Sequence, residues 1–161
     1  ILSRLRKKVI TALRQKGLSG EQQDGMDMTI CVIDKEQMTL QYAAANHAFY
    51  IVRKKESGYE LEEFHGDKQP VGIFGSDLKP FKQHSIELKP NDIVYTFTDG
   101  YADQFGGPKG KKFKYKQLKE LLLSIQHLDL VAQEDIVKEQ FTNWKGNLEQ
   151  VDDVCLIGIR V

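Results

Sequence analysis

An α+β fold, in which helices are segregated from a run of antiparallel strands, is what this 161-residue sequence predicts. Three observations carry the prediction. A helical pattern opens the chain, short runs rich in β-branched and aromatic residues follow it, and two more helical patterns precede a last such run. The runs are separated mostly by turns too short for the dozen or so residues a parallel crossover needs. No fixed-period repeat, low-complexity stretch or internal linker interrupts the chain, so residues 1–161 read as a single unit of ordinary domain length.

The first element is a basic amphipathic helix over residues 1–17. Leu2, Leu5, Val9, Ile10 and Leu13 share one face at helical spacing, and Gly17 with Gly20 supplies the stop. Arg4, Arg6, Lys7, Lys8, Arg14 and Lys16 occupy the other face with no acid before Glu21, which reads as a solvated face or, alternatively, a membrane or partner contact. Residues 24–98 hold the strands "MDMTICVID", "MTLQYAAA", "AFYIVRK", "YELEEF", "HSIEL" and "DIVYTFT". Two helices are expected over 115–145, one striped by Leu118, Leu121, Leu122 and Ile125, the other by Val137, Phe141 and Trp144. "DVCLIGIRV" supplies a closing strand over 154–161, and the continuous apolar character of "TICVI" and "CLIGI" predicts strands covered on both faces.

With 23 basic and 23 acidic side chains, no global field draws in nucleic acid or an anionic membrane. No apolar run approaches the ~20 residues that cross a bilayer, and no signal peptide is visible, so the expectation is a cytoplasmic, soluble segment. Cys31 and Cys155 lie in apolar runs without zinc-like spacing and read as buried thiols in a reducing compartment. The chain starts at Ile1 and opens directly into the helix, which reads as a piece of a longer protein, one that a part outside this sequence could anchor to a membrane.

Two features carry chemistry. Asp99 ends an apolar strand in "TFTDGYADQF", and Asp152 with Asp153 begins another. If those strands are antiparallel neighbours, the carboxylates converge on one rim, where a hard divalent cation would relieve their repulsion. The competing reading is equally good on spacing alone: Asp-Gly turns the chain, and the later pair merely starts a strand. The lysine-rich stretch 106–119 reads as a solvated loop entering a helix, or as a cationic rim that attracts a phosphorylated protein.

"DIVYTFTDGYADQF", "AAANHAFYIV", "KQPVGIF" and "EQVDDVCLIGIRV", in that order, resemble the metal-dependent serine/threonine protein phosphatases of type 2C, the PPM family. The likeness is to the bacterial branch of sporulation stage II phosphatases and sigma-factor regulators, and it covers residues 24–161. The resemblance implies a sandwich of antiparallel sheets flanked by helices. It also implies Mn²⁺- or Mg²⁺-dependent hydrolysis of phosphoserine or phosphothreonine, with two ions in a complete domain. It places Asp99 and Asp152 as metal ligands, with Asp153, Gly100 and His47 beside them; Lys109, Lys111 and Lys112 are, on charge alone, the candidates for a substrate rim. The family's early acidic strand and its Asp-Gly-His-Gly-like motif have no counterpart here, so the fold is expected to be incomplete on its N-terminal side and the segment alone inactive. Asn46 stands where the family has a turn glycine, and Asn tolerates positive φ best among other residues. The implied partners are a phosphorylated regulatory protein such as an anti-sigma-factor antagonist, an upstream sensor domain, and a second copy paired through exposed strand edges. The rival readings are a non-catalytic scaffold that keeps the sandwich and binds a partner protein, and a Ca²⁺-stabilised binding domain.

Overall fold

The computed structural model describes residues 1–17, 24–75 and 78–161. In chain order the elements are α1 (Leu2–Ala12), β1 (Gly25–Met26), β2 (Met28–Asp34), β3 (Thr39–Ala45), β4 (Ala48–Lys55), β5 (Gly58–His65), β6 (Val71–Gly72), β7 (His84–Glu87) and β8 (Ile93–Phe97). They continue with α2 (Gly100–Asp103), β9 (Phe105–Gly106), β10 (Lys111–Lys112), α3 (Lys114–Ser124), α4 (Leu130–Lys145) and β11 (Leu156–Arg160). The fold is α+β, and its strand ladders run antiparallel. The structure divides into two compact units, residues 1–49 with 63–90 and residues 50–62 with 91–161. Two of the three boundaries lie inside strands, β4 and β5, and the third falls between Pro90 and Asn91 in the loop before β8.

In the first unit β2, β3 and β7 form one sheet in that order, and β1 pairs with β6. The β2–β3 register is pinned by its turn, where Asp34 Oδ1 accepts from the N–H groups of Glu36 and Gln37 at 3.0 and 2.9 Å. Leu2 of α1 is buried with Ala45 and Val71, and Leu5, Val9, Met28 and Ile30 pack around them.

The first helix differs from its expectation in extent. It stops at Ala12, ahead of Gly17, because Arg14 adopts φ 53°. There the Arg14 N–H donates to Thr11 O and the Gln15 N–H to Ile10 O, the paired bonds of a Schellman cap with arginine where glycine is usual. Gly20 and Glu21 lie outside the described residues. The two faces also depart from the expected split. Leu13 is 53% exposed, whereas Arg6 is 4% exposed, donates from Nη1 to Lys79 O at 2.9 Å and stacks 4.1 Å from the Phe81 ring centroid. A long apolar stem and a flat guanidinium suit that position, and burial lowers the Arg6 pKa.

In the second unit the sheet order is β11-β8-β4-β5. Tyr50, Val52, Ile93, Tyr95 and Phe97 from this sheet form one core with Leu118, Leu122, Ile125 and Val137 from α3 and α4. Arg53 of β4 grips Asp92 beside β8 through Nε and Nη2, the shortest contact being 2.7 Å. Asp92 is 1% exposed, and this forked geometry is what makes a buried charge pair tenable. The Asp129 side chain caps α4 by accepting from the Ala132 N–H at 2.8 Å.

Two expectations about burial are corrected. Neither β2 nor β11 is covered on both faces: Val32 is 56% exposed and Ile157 50% exposed. Likewise the cysteines are not both buried, since Cys31 is half-buried and Cys155 exposed. A continuous apolar run cannot distinguish a central strand from one at a sheet edge, and β11 ends its sheet. Among the described residues no helix is long and apolar enough to cross a membrane.

Candidate active site

β8 is buried along most of its length, and Asp99 follows it at the start of the one-turn helix α2. Within this helix the Tyr101 ring packs on Phe113 and Phe141, and its hydroxyl donates to Val137 O at 2.9 Å. Burial raises the phenol pKa of Tyr101, so this donor keeps its proton.

The two readings of Asp99 can be compared within the molecule. Asp34 and Asp129 are turn and cap formers, and each commits a carboxylate oxygen to backbone N–H groups. Asp99 occupies an N-cap position, yet its side chain accepts no capping hydrogen bond and it is exposed. Its carboxylate is not used to form the turn.

The loop before β11 is stitched to the end of β8 and to α2. Thr98 Oγ1 donates to Asp153 O at 2.8 Å and accepts from the Cys155 N–H at 2.9 Å. At Gly100 a Cβ would lie 2.4 Å from Asp153 O and 3.3 Å from Asp152 O, so only glycine permits this approach. The main chain of Asp152 and Asp153 is thereby pressed against the Asp99–Gly100 turn. Both aspartates are exposed, and Asp152 Oδ1 accepts from the Asp153 N–H at 2.7 Å, which orients the Asp152 carboxylate.

Gln104, which the sequence reading passed over, is 0% exposed at the end of α2. Its Nε2 donates to Glu149 O at 2.9 Å and to Phe105 O at 3.0 Å, while its Oε1 accepts from the Val151 N–H at 3.4 Å. Its own carbonyl accepts from Trp144 Nε1 and from the Phe113 N–H, each at 3.0 Å. No periodicity announces such a residue, because the groups that tie it to the loop before β11 are main-chain atoms 45 and 47 positions away.

The lysines of the expected rim sit on or beside the β9–β10 ribbon. Lys109 and Lys111 are exposed, and Lys112 Nζ pairs with Asp103 at 2.9 Å. The ribbon is seated on Trp144: a Cβ at Gly106 would lie 1.8 Å from Trp144 O, and one at Gly107 would lie 2.7 Å from its ring. His47 belongs to the other unit, where it is half-buried after Asn46 in the β3–β4 turn. Asn46 takes φ 53°, the left-handed conformation its sequence position suggests.

Asp99 and Asp152 both expose carboxylates, hard-oxygen donors of the kind Mg²⁺ and Mn²⁺ take in preference to thiophilic metals, and their backbones meet at Gly100. Among the described residues no cluster of three or more His, Cys, Asp or Glu could hold an ion by itself.

Comparison with known proteins adds the following. The family model of stage II sporulation protein E (SpoIIE) matches residues 1–161. No curated protein sequence matches the chain. The fold is similar to the SiaA PP2C domain of Pseudomonas aeruginosa, with TM-score 0.82 and 21% identity over 99% of this chain and 59% of that one. It is also similar to a Mycobacterium tuberculosis structure of RsbU and RsbW domains, with TM-score 0.61 and 22% identity over 83% of this chain and 36% of that one. A third likeness is to the Mn-presoaked phosphatase domain of the cell fate determinant SpoIIE from Bacillus subtilis, with TM-score 0.58 and 16% identity over 99% and 70%. The chain thus spans a little over half of the SiaA domain and about a third of the M. tuberculosis structure.

Proposed function

The chain belongs to the SpoIIE family of PP2C-type phosphatase domains, and from that premise we propose that it forms part of an enzyme hydrolysing phosphoserine or phosphothreonine on a bacterial regulatory protein. The observation that carries this reading is the Asp99 carboxylate, exposed and unused as a cap, on a turn whose backbone packs against Asp152 and Asp153. Asp99 and Asp152 would hold a Mn²⁺ or Mg²⁺ ion. When bound, such an ion supplies a water acidic enough to attack phosphorus and neutralises charge on the phosphoryl oxygens.

The chain's own residues do the positioning. Thr98 and Gly100 fix the loop of Asp152 against the turn of Asp99. The Asp153 N–H engages Asp152 Oδ1, and Oδ2 would be the oxygen offered to an ion. Lys109 and Lys111 offer positive charge to a phosphorylated protein, whereas Lys112 is engaged by Asp103. An anti-sigma-factor antagonist is the class of substrate proposed, and a sensor domain on the same polypeptide would control access to it. His47 is assigned no role in the chemistry.

Two carboxylates leave a six-coordinate cation mostly hydrated and weakly held, so residues 1–161 alone are expected to be inactive. Hydrolysis of para-nitrophenyl phosphate or a phosphoserine peptide in millimolar Mn²⁺ should stay at background for this segment. In the full-length protein it should proceed, and Asp99→Asn or Asp152→Asn should each reduce it about 100-fold or more, since even outer partners of a metal ligand are worth ~10–100-fold. Undiminished hydrolysis in either variant would remove the metal-ligand assignment. A second reading, a non-catalytic module that binds a partner protein, draws on a cavity of about 570 Å³ lined by Val131, Val137 and Phe141 of α4 and Leu156 of β11. Neither Asp99 nor Asp152 lines it. Full-length protein that shows no hydrolysis in any divalent metal would favour that reading.

A further inference from the structure

We propose that Gln104 is a positioning residue for the metal site, setting where Asp152 stands relative to Asp99. The inference rests on the reading of those two aspartates as ligands. Its basis is mechanical: the segment that delivers Asp152 is gripped at both ends. Downstream, Thr98 holds Asp153 and Cys155. Upstream, Gln104 holds Glu149 and Val151, the latter directly preceding Asp152.

Gln104 is also tied rigidly to Asp99. The two are the ends of one helical turn, closed by the Asp103 N–H donating to Asp99 O at 2.9 Å. The residue itself cannot drift, because Trp144 Nε1 and the Phe113 N–H both hold its carbonyl and its side chain is fully enclosed. A buried primary amide suits this task because it donates two hydrogen bonds and accepts at its oxygen, so it can link two carbonyls and an N–H at once. Replacing it with an apolar side chain of similar length leaves Glu149 O and Phe105 O without these partners and releases the upstream grip.

The test separates positioning from mere stability. Gln104→Met is compared with Tyr101→Phe, which removes a buried hydroxyl bond to Val137 O in the same core without touching the loop. In residues 1–161, hydrogen exchange of the 147–153 amides should accelerate about tenfold or more in Gln104→Met and stay unchanged in Tyr101→Phe. In the full-length protein, Mn²⁺ affinity measured by titration calorimetry should fall about tenfold in Gln104→Met, at the lower end of what outer partners of metal ligands contribute. The kcat at saturating Mn²⁺ should remain close to native, and Tyr101→Phe should bind Mn²⁺ normally despite a lower Tm. Should Gln104→Met not fold, Gln104→Asn, whose amide is one methylene too short to reach Glu149, carries the same comparison. Native loop exchange, or Mn²⁺ affinity within twofold of native, in a folded Gln104 variant overturns the proposal. Native Mn²⁺ affinity in Asp99→Asn would instead overturn the ligand assignment on which it rests.

Discussion

The two thiols differ in exposure, and burial withholds the reactive thiolate at Cys31. Burial pushes the Cys31 pKa up to about 11, while Cys155 is exposed. At pH 8 only about one Cys31 in a thousand is ionised. Iodoacetamide at that pH should therefore label Cys155 and spare Cys31, and Cys31 labelling should rise about tenfold per pH unit toward 11, since each unit raises the thiolate fraction tenfold; equal labelling at pH 8 would contradict this. The linkage has a definite sign. A folded-state pKa raised above the unfolded ~8.5 contributes stability that is intact below that value and is lost as pH rises toward 11. At this scale the sequence is informative where a residue's own chemistry decides the outcome. Asn46 in its left-handed turn was legible for that reason. Asp99 was not, because turn former and ligand look alike until one sees whether the carboxylate caps its own helix. Gln104 was invisible, since its value comes from backbone groups distant in sequence.

The longer helices and strands were legible from their periodicity, whereas their ends and the short α2, β6, β9 and β10 were not. α1 illustrates why: glycine at position 17 advertised a stop, yet the cap forms at Arg14, which pays the left-handed conformation's steric cost to satisfy the carbonyls of Ile10 and Thr11. That conformation costs a non-glycine residue roughly 1–2 kcal/mol, part of which glycine returns as unfolded-chain entropy. Arg14→Gly should accordingly stabilise the protein by about 1 kcal/mol, raising Tm by about 2–4 °C in a thermal melt. A lower Tm would show that the Arg14 side chain makes contacts worth more than the strain. Arg6 was misassigned to the solvated face because a charged residue was read by its head alone, whereas its stem and guanidinium plane pack on Phe81.

For the whole molecule, the antiparallel α+β architecture followed from the short turns between strands. Solvent exposure at β11 was hidden. The Thr98 N–H donates to Cys155 O, and the Val161 N–H to Asp92 O, so the odd-numbered residues of β11 bond to β8 and Leu156, Gly158 and Arg160 direct theirs to the sheet's edge. Two copies paired antiparallel about Gly158 would set Ile157 opposite Ile159 of the other, both exposed on one face, at 50% and 39%. Self-association of residues 1–161 through this edge is accordingly proposed. Sedimentation velocity should detect dimer at high concentration and only monomer for Ile157→Lys; a monomeric parent segment would dispose of the idea. The position of the unit boundaries has a consequence for descent. Each unit is assembled from stretches of gene that interleave with those of the other; two of the three breaks fall within β4 and β5, and the third follows Pro90. A single crossover therefore cannot exchange one unit whole: at 90/91 it leaves residues 50–62 behind, and at the other two boundaries it cuts β4 or β5.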